Sequence, residues 1–175
     1  MTAFDTTTLP AGGVGTWRLD PDNTTIEIHT KAMWGMANVK VVFKAVGGTG
    51  RIGVDGAISG DLVVSASSIA TKNKKRDEHL RSAEFFDAST YPTFSFITSE
   101  VTASPDGTLK IKGTLLIKEQ SRSIDVVAIP KSSSPDRVTM NAETTIDRRD
   151  WGMTWAKMGA RLVNRVVVVA EFVRS

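Results

Sequence analysis

The feature that most constrains this chain is a hydrophobic alternation with a period of two. Leu109, Ile111, Gly113, Leu115 and Ile117 fall on one face of a segment whose other face carries Lys110, Lys112, Thr114 and Lys118. Val138, Met140, Ala142, Thr144 and Ile146 alternate in the same way with Thr139, Asn141, Glu143, Thr145 and Asp147. Further runs contain Val39, Val41, Phe43 and Ala45; Ile58, Gly60, Leu62 and Val64; Ile26 and Ile28; Phe94 and Phe96; and Ile124, Val126 and Ala128. Successive strand residues point to opposite faces, so each run predicts a strand with one buried and one wet side. Turn signals divide the runs at Gly47-Gly48, Val54-Asp55-Gly56, Pro105-Asp106-Gly107 and the Ser-rich stretch 132–136. About eight such strands joined by short turns predict an antiparallel sheet, and closure into a barrel removes its exposed edges.

One stretch breaks the alternation. Residues 72–87, KNKKRDEHLRSAEFFD, are charged, lack β-branched side chains and space Leu80 and Ala83 three apart, which predicts a short helical insertion. Such an insertion in a β-protein covers a barrel end or a sheet opening. Residues 1–15 show no periodicity and predict a flexible arm ahead of one domain over 16–175. A chain of 175 residues is long enough to bury a core without staples.

Composition narrows the chemistry. The absence of Cys excludes thiolate nucleophiles, disulfides and Cys-held metals, and two His, at 29 and 79, leave no basis for a multi-histidine metal site. No nucleophile elbow of the G-x-S-x-G type accompanies Asp77 and His79. Asp77 and Glu78 are neighbours that point apart on a helix, unsuited to two-carboxylate chemistry. The expectation is a non-enzyme with no catalytic residues, no metal and no cofactor. Lys72, Lys74, Lys75 and Arg76, with Arg148 and Arg149, lack interleaved aromatics and are diluted by acids at 77, 78, 84 and 87, so no nucleic-acid partner is expected. The first residues carry no basic start or apolar run, and the longest apolar run, 166–170, is far too short for a spanning helix. These point to a cytoplasmic protein with no integral membrane segment.

Two loops share the triplet Trp-Gly-Met: Met33-Trp34-Gly35-Met36, and Trp151-Gly152-Met153-Thr154-Trp155 with Met158 close behind. Trp and Met supply large, polarisable, adaptable apolar surface that suits a hydrocarbon chain, and equally suits ordinary core and end-plug packing. An eight-stranded barrel has an interior that side chains just fill, or that holds one small ligand. The candidate lining is Met33, Trp34, Met36, Phe43, Phe96, Met140, Trp151, Met153 and Trp155. Arg76, His79 and Arg81 are candidates for a ligand's polar end, or alternatively a polar latch satisfying the helix ends beside Asp77 and Glu78.

Together the motifs resemble the YceI-like proteins. The resemblance rests on Trp17-Arg18-Leu19-Asp20-Pro21-Asp22 with Thr24 and Ile26. It rests equally on Arg76-Asp77, His79-Leu80-Arg81-Ser82 and Glu84-Phe85-Phe86-Asp87, followed by Tyr91-Pro92-Thr93 and Phe96. Ile146-Asp147-Arg148 with Asp150-Trp151-Gly152 and Trp155 completes it. It implies an all-β fold: an eight-stranded antiparallel lipocalin-like β-barrel, with the short helical insertion around residues 72–87, enclosing a long amphiphilic isoprenoid or quinone-like lipid. It also implies a binding or carrier protein, in a family where homodimers occur. The alternative is a ligand-free, stress-related structural or interaction protein whose barrel is filled by side chains. The chain departs from the family pattern at Ala32, Val41 and Glu119, and Glu119 in place of a Gly predicts a different turn, since Glu avoids positive φ.

Overall fold

A computed structural model describes residues 14–175. The first thirteen residues of the expected arm lie outside the described residues, and Gly15 already starts the first strand. Nine strands follow in order: β1 (Gly15–Leu19), β2 (Thr25–Ala32), β3 (Ala37–Ile52), β4 (Ile58–Ala70), β5 (Thr93–Ala103), β6 (Leu109–Ile117), β7 (Gln120–Ser133), β8 (Arg137–Asp147) and β9 (Val163–Arg174). Among the described residues a single α-helix, α1 (Lys74–Arg81), stands between β4 and β5. From β2 to β9 each strand pairs antiparallel with the next, and β9 returns to pair with β2. The result is the closed eight-stranded up-and-down barrel that the alternation predicts, with no free edge in the ladder.

Nine strands make eight staves because β1 and β2 share one position. β1 pairs with β3 (Gly15 opposite Ile52) and β9 (Leu19 opposite Phe172), and β2 continues between the same two neighbours with Ile26 opposite Phe43 and Val168. The break is a 3-10 turn at Pro21–Asn23: the Asp20 carboxylate accepts from the Asp22 N–H at 3.2 Å, and Pro21 occupies a first-turn position that needs no donor.

The Gly47-Gly48 pair is not a turn. β3 runs through it to Ile52, with register shifts between Val42 and Lys44 and between Ala45 and Gly47. A Cβ at Gly48 would lie 2.4 Å from the Asp61 carbonyl oxygen of β4, so the glycine permits a close backbone approach where the long strand bends. The β6–β7 connection also differs from expectation. Ile117 pairs with Gln120, leaving a two-residue loop in which Lys118 (φ 53°) and Glu119 (φ 66°) are both left-handed. A two-residue hairpin must take this primed geometry to match the strand twist, and the ladder on either side enforces it on residues that do not favour it. The hairpin at Pro105-Asp106-Gly107 forms as predicted, with the Gly107 N–H donating to Ser104 O at 2.9 Å and φ 87° at Gly107.

The insertion folds over the end of the barrel where β4 stops. Asn73 caps α1, accepting from the Arg76 N–H at 3.1 Å. Asp77 accepts from the Thr71 N–H (2.8 Å) and hydroxyl (2.6 Å), while Arg76 Nε donates to that hydroxyl at 2.9 Å. Arg81 donates to Ser67 O at 3.1 Å and to Ile69 O at 3.0 Å, serving carbonyls beyond the last β4 residue paired with β5, Ser65. These bonds are the latch that the Arg76–Arg81 motif encodes.

Candidate functional site

Strand parity decides what the barrel encloses. The inward residues of β2, β4, β5, β6, β7, β8 and β9 are almost all aliphatic or aromatic, and they surround an apolar cavity of about 220 Å³. Its wall includes Ile28, Leu62, Phe96, Ile111, Leu115, Ile124, Val126, Met140, Ala142 and Val168. All of these point inward yet are only half-buried, because they border open space inside the barrel. At one end of that space Val101, Leu109 and Ala128 pack together. Towards the other, Phe43, Phe86 and Phe94 meet ring against ring, with centroids 5.1–5.6 Å apart. Both groups line the cavity, the second through Phe86 and Phe94, and it extends to Arg51, Ile52, Ile58 and Ser59 at the β3–β4 end of the barrel.

Local chemistry shapes the wall. Gly113 faces inward on β6, and a Cβ there would sit 2.4 Å from the Phe96 ring, so the missing side chain lets that ring lie flat against the strand. Ala142 sits in the ladder between Ala128 and Val168, small neighbours that leave room in front of it. Polar groups at the wall are few. Thr98 and Thr144 face the cavity, and the Trp17 indole borders it with its Nε1 buried and without a hydrogen-bond partner. This buried donor without a protein partner beside an apolar cavity is a group that a ligand's oxygen would satisfy.

Of the residues proposed from sequence, Phe96 and Met140 line the cavity. Phe43 is fully buried in the aromatic layer above it. Trp151 and Met153, each 1% exposed, plug the barrel end, with Trp151 Nε1 donating to Leu115 O at 3.0 Å. The plug is fixed by Arg148, 7% exposed, which donates to Met153 O at 2.7 Å and Arg161 O at 3.1 Å and lies 5.3 Å over the Phe85 ring. Burial pushes its guanidinium below the ordinary arginine value. Trp155 is half-buried and packs edge-on to His79 at 4.7 Å. His79 also meets Phe85 at 5.1 Å and pairs with Glu84 at 2.6 Å. Arg76, His79 and Arg81 thus sit on and around the helix latch and are absent from the cavity wall.

Met33, Trp34 and Met36 form the β2–β3 turn and are 44%, 73% and 79% exposed, away from the interior. The two Trp-Gly-Met loops therefore end in opposite environments, one as a buried plug and one as an exposed tip. The aliphatic wall of Leu62, Ile111, Ile124, Val126 and Val168 was legible as strand parity but carries no motif that marks it as a site. His29 lies on the outer face of β2, paired with Glu27 at 3.1 Å. Among the described residues no cluster of side chains could hold a metal, and no helix is long and apolar enough to cross a membrane.

A closed antiparallel barrel with an end-capping helix and an apolar interior is the class this geometry defines. Within that class the chain belongs to the YceI-like domain family, whose model matches residues 17–173. A UPF0312 protein of Vibrio cholerae O395 is 33% identical over 95 residues, covering 51% of this chain and 50% of the relative. A UPF0312 protein of Pectobacterium atrosepticum is 29% identical over 120 residues, covering 66% and 62%. The chain spans about half the length of the first of these relatives. Among solved structures, Burkholderia cenocepacia BcnA superposes with a TM-score of 0.73 at 17% identity over 90% of this chain and 99% of its own. A polyisoprenoid-binding domain from Saccharophagus degradans gives 0.71 at 15% identity, covering 91% and 98%. Both likenesses show the fold.

Proposed function

We propose that this protein binds the hydrocarbon chain of an amphiphilic isoprenoid or quinone-like lipid inside its barrel, and carries it without catalysing a reaction. The observation that carries this reading is the apolar cavity of about 220 Å³ inside the barrel. A dry apolar cavity of ~150 Å³ already holds one benzene. At roughly the 30 Å³ of a water molecule per carbon, the space accepts ~7 carbons as it stands. Longer chains are accepted by movement of Met140, the most adaptable large side chain on the wall. Each buried methylene contributes ~0.8 kcal/mol, so ten buried carbons supply about 8 kcal/mol, in the micromolar range without a charged anchor. The Trp17 Nε1 donates to the head-group oxygen of the guest, which gives its buried indole N–H the partner it lacks. The polyisoprenoid-binding domain of the same fold from Saccharophagus degradans supports the choice of ligand class.

The test is a chain-length series on the delipidated protein, titrating geraniol, farnesol and geranylgeraniol and following tryptophan fluorescence. Affinity is expected to rise from geraniol to farnesol and to fall when Trp17 is replaced by Phe. Absence of saturable binding by all three alcohols would leave the side-chain-filled interaction protein as the better account.

A further inference from the structure

The exposed tip is the largest feature that the barrel interior leaves unexplained. Met33, Trp34 and Met36 stand out at the β2–β3 turn, and Met158, 59% exposed, stands out from the β8–β9 connection. The two segments are seated on each other. A Cβ at Gly159 would lie 2.5 Å from Trp34 N and 2.8 Å from its Cδ1, and the Arg161 N–H donates to Lys31 O at 3.0 Å. Four large apolar side chains are thereby gathered at one corner of the barrel. Three of them sit on strained backbone, with φ of 53° at Met33, 54° at Trp34 and 57° at Met158. Left-handed φ is unfavourable for such side chains, and Asn or Gly would adopt it at these positions at lower cost. Strain that holds Trp and Met out into water points to a use outside the fold.

The charge around the tip selects the partner. Residues 30–40 and 152–165 contain Lys31, Lys40, Lys157, Arg161 and Arg165 and no acidic residue. Lys40 pairs with Glu27, and Arg165 with Glu143. Lys31, Lys157 and Arg161 are in no ion pair among the described residues. Trp seats at the boundary of head groups and acyl chains, Met buries readily beneath it, and lysine and arginine are drawn to anionic phospholipid. We infer that the Met33–Met36 turn and Met158 form a shallow anchor that docks the barrel on an anionic bilayer, with Lys31, Lys157 and Arg161 on the head groups. A protein that takes an apolar chain into its barrel must meet the membrane where such chains reside, and in that respect the inference rests on the lipid-binding reading.

The experiment is sedimentation of the full chain with vesicles of phosphatidylcholine alone and of phosphatidylcholine with phosphatidylglycerol. The chain is expected to partition onto the anionic vesicles, with binding weakened by salt. Trp34→Ser with Met36→Ser is expected to lower the partition coefficient roughly tenfold or more by removing the inserted apolar surface. Val54→Ser, at a 94% exposed site in the β3–β4 turn at the other end of the barrel, leaves partitioning unchanged. Lys31→Glu with Lys157→Glu abolishes the preference for anionic vesicles. All variants change exposed or half-buried side chains, and an unaltered melting transition identifies those that remain folded. Equal partitioning of the wild type and the Trp34/Met36 variant overturns the proposal. So does a dimer in light scattering that the same substitutions dissociate without any vesicle binding, since the tip is then an interface between two copies. Prenyl-alcohol binding is measured without vesicles and docking without a prenyl alcohol, so failure of one is separable from failure of the other.

Discussion

Replacing Ala142 by Leu probes the cavity from its own wall. Ala142 faces inward on β8, is only half-buried, and has Ala128 and Val168 as its ladder neighbours. Leucine adds three carbons, which at ~0.8 kcal/mol each contribute about 2.4 kcal/mol if they enter empty apolar space. Fixing the new side chain costs about 0.5–1 kcal/mol, so the ligand-free variant gains ~1.5 kcal/mol. For a chain of this size that raises Tm by about 3–6 °C. The three carbons also take roughly 90 Å³ at the volume of a water molecule each, close to half of the 220 Å³ available. The remainder falls below the ~150 Å³ that admits one benzene, so prenyl-alcohol affinity is expected to drop at least tenfold. Urea unfolding of the delipidated protein gives the first quantity and fluorescence titration the second. A variant destabilised by more than ~1 kcal/mol would mean overpacking of an interior already full, and would refute the reasoning.

Four further expectations concern the frame. Glu119→Gly relieves a left-handed residue in the β6–β7 hairpin and is expected to raise urea-unfolding stability by about 0.5–1 kcal/mol, the relief of strain outweighing the added freedom of the unfolded chain. Arg81→Ala leaves the Ile69 and Ser67 carbonyls without their guanidinium donor and is expected to cost about 1–3 kcal/mol in the same assay, while prenyl-alcohol affinity of the folded variant stays within about twofold. Gly159→Ala places a Cβ against Trp34 at a φ of 69°, and a loss of about 1–3 kcal/mol is expected in thermal unfolding. Acid stability follows carboxylates held low in the folded chain, Asp106 by Thr108 and Glu143 by Arg165 among them. The Asn23 amide and Arg137 hold Asp20 below the ordinary carboxylate value, and Arg149 does the same for Asp147. The unfolded chain therefore takes up protons before the folded one, so stability holds down to about pH 5 and falls as pH drops through about 4. A stability that rose on acidification through that window would contradict this assignment.

How far the sequence speaks differs between wall and loops. Parity along β6 and β8 places Ile111, Leu115, Met140 and Ala142 inside because a strand cannot turn one face inward without the whole face following. The latch is one of two readings the sequence leaves open for Arg76, His79 and Arg81, and its partners, Thr71 and the last carbonyls of β4, carry no signal of their own. The loops carry no such periodicity. Trp34-Gly35-Met36 and Trp151-Gly152-Met153 share a triplet, yet one crosses a tight turn at the rim and the other is fixed in the barrel end by Leu115 O and by an Arg148 held on Arg161 O, contacts distant in sequence. Gly47-Gly48 reads as a turn because nothing local reveals that β4 passes 2.4 Å from where a side chain would be. Lys118-Glu119 reads as unsuited to positive φ because the twist that enforces it belongs to the paired strands. What remained hidden in each case was set by a neighbour across the sheet or the barrel.

The central claim, that the interior houses an apolar chain, is tested most directly by native mass spectrometry of the protein as purified, with organic extraction of the same sample. The account predicts a population heavier than the polypeptide by the mass of one guest. That guest is released by extraction, is identified in the extract as a prenyl-chain lipid, and is restored to the stripped protein by farnesol at one per chain. A bare polypeptide mass, an extract without lipid and no uptake of farnesol would contradict it.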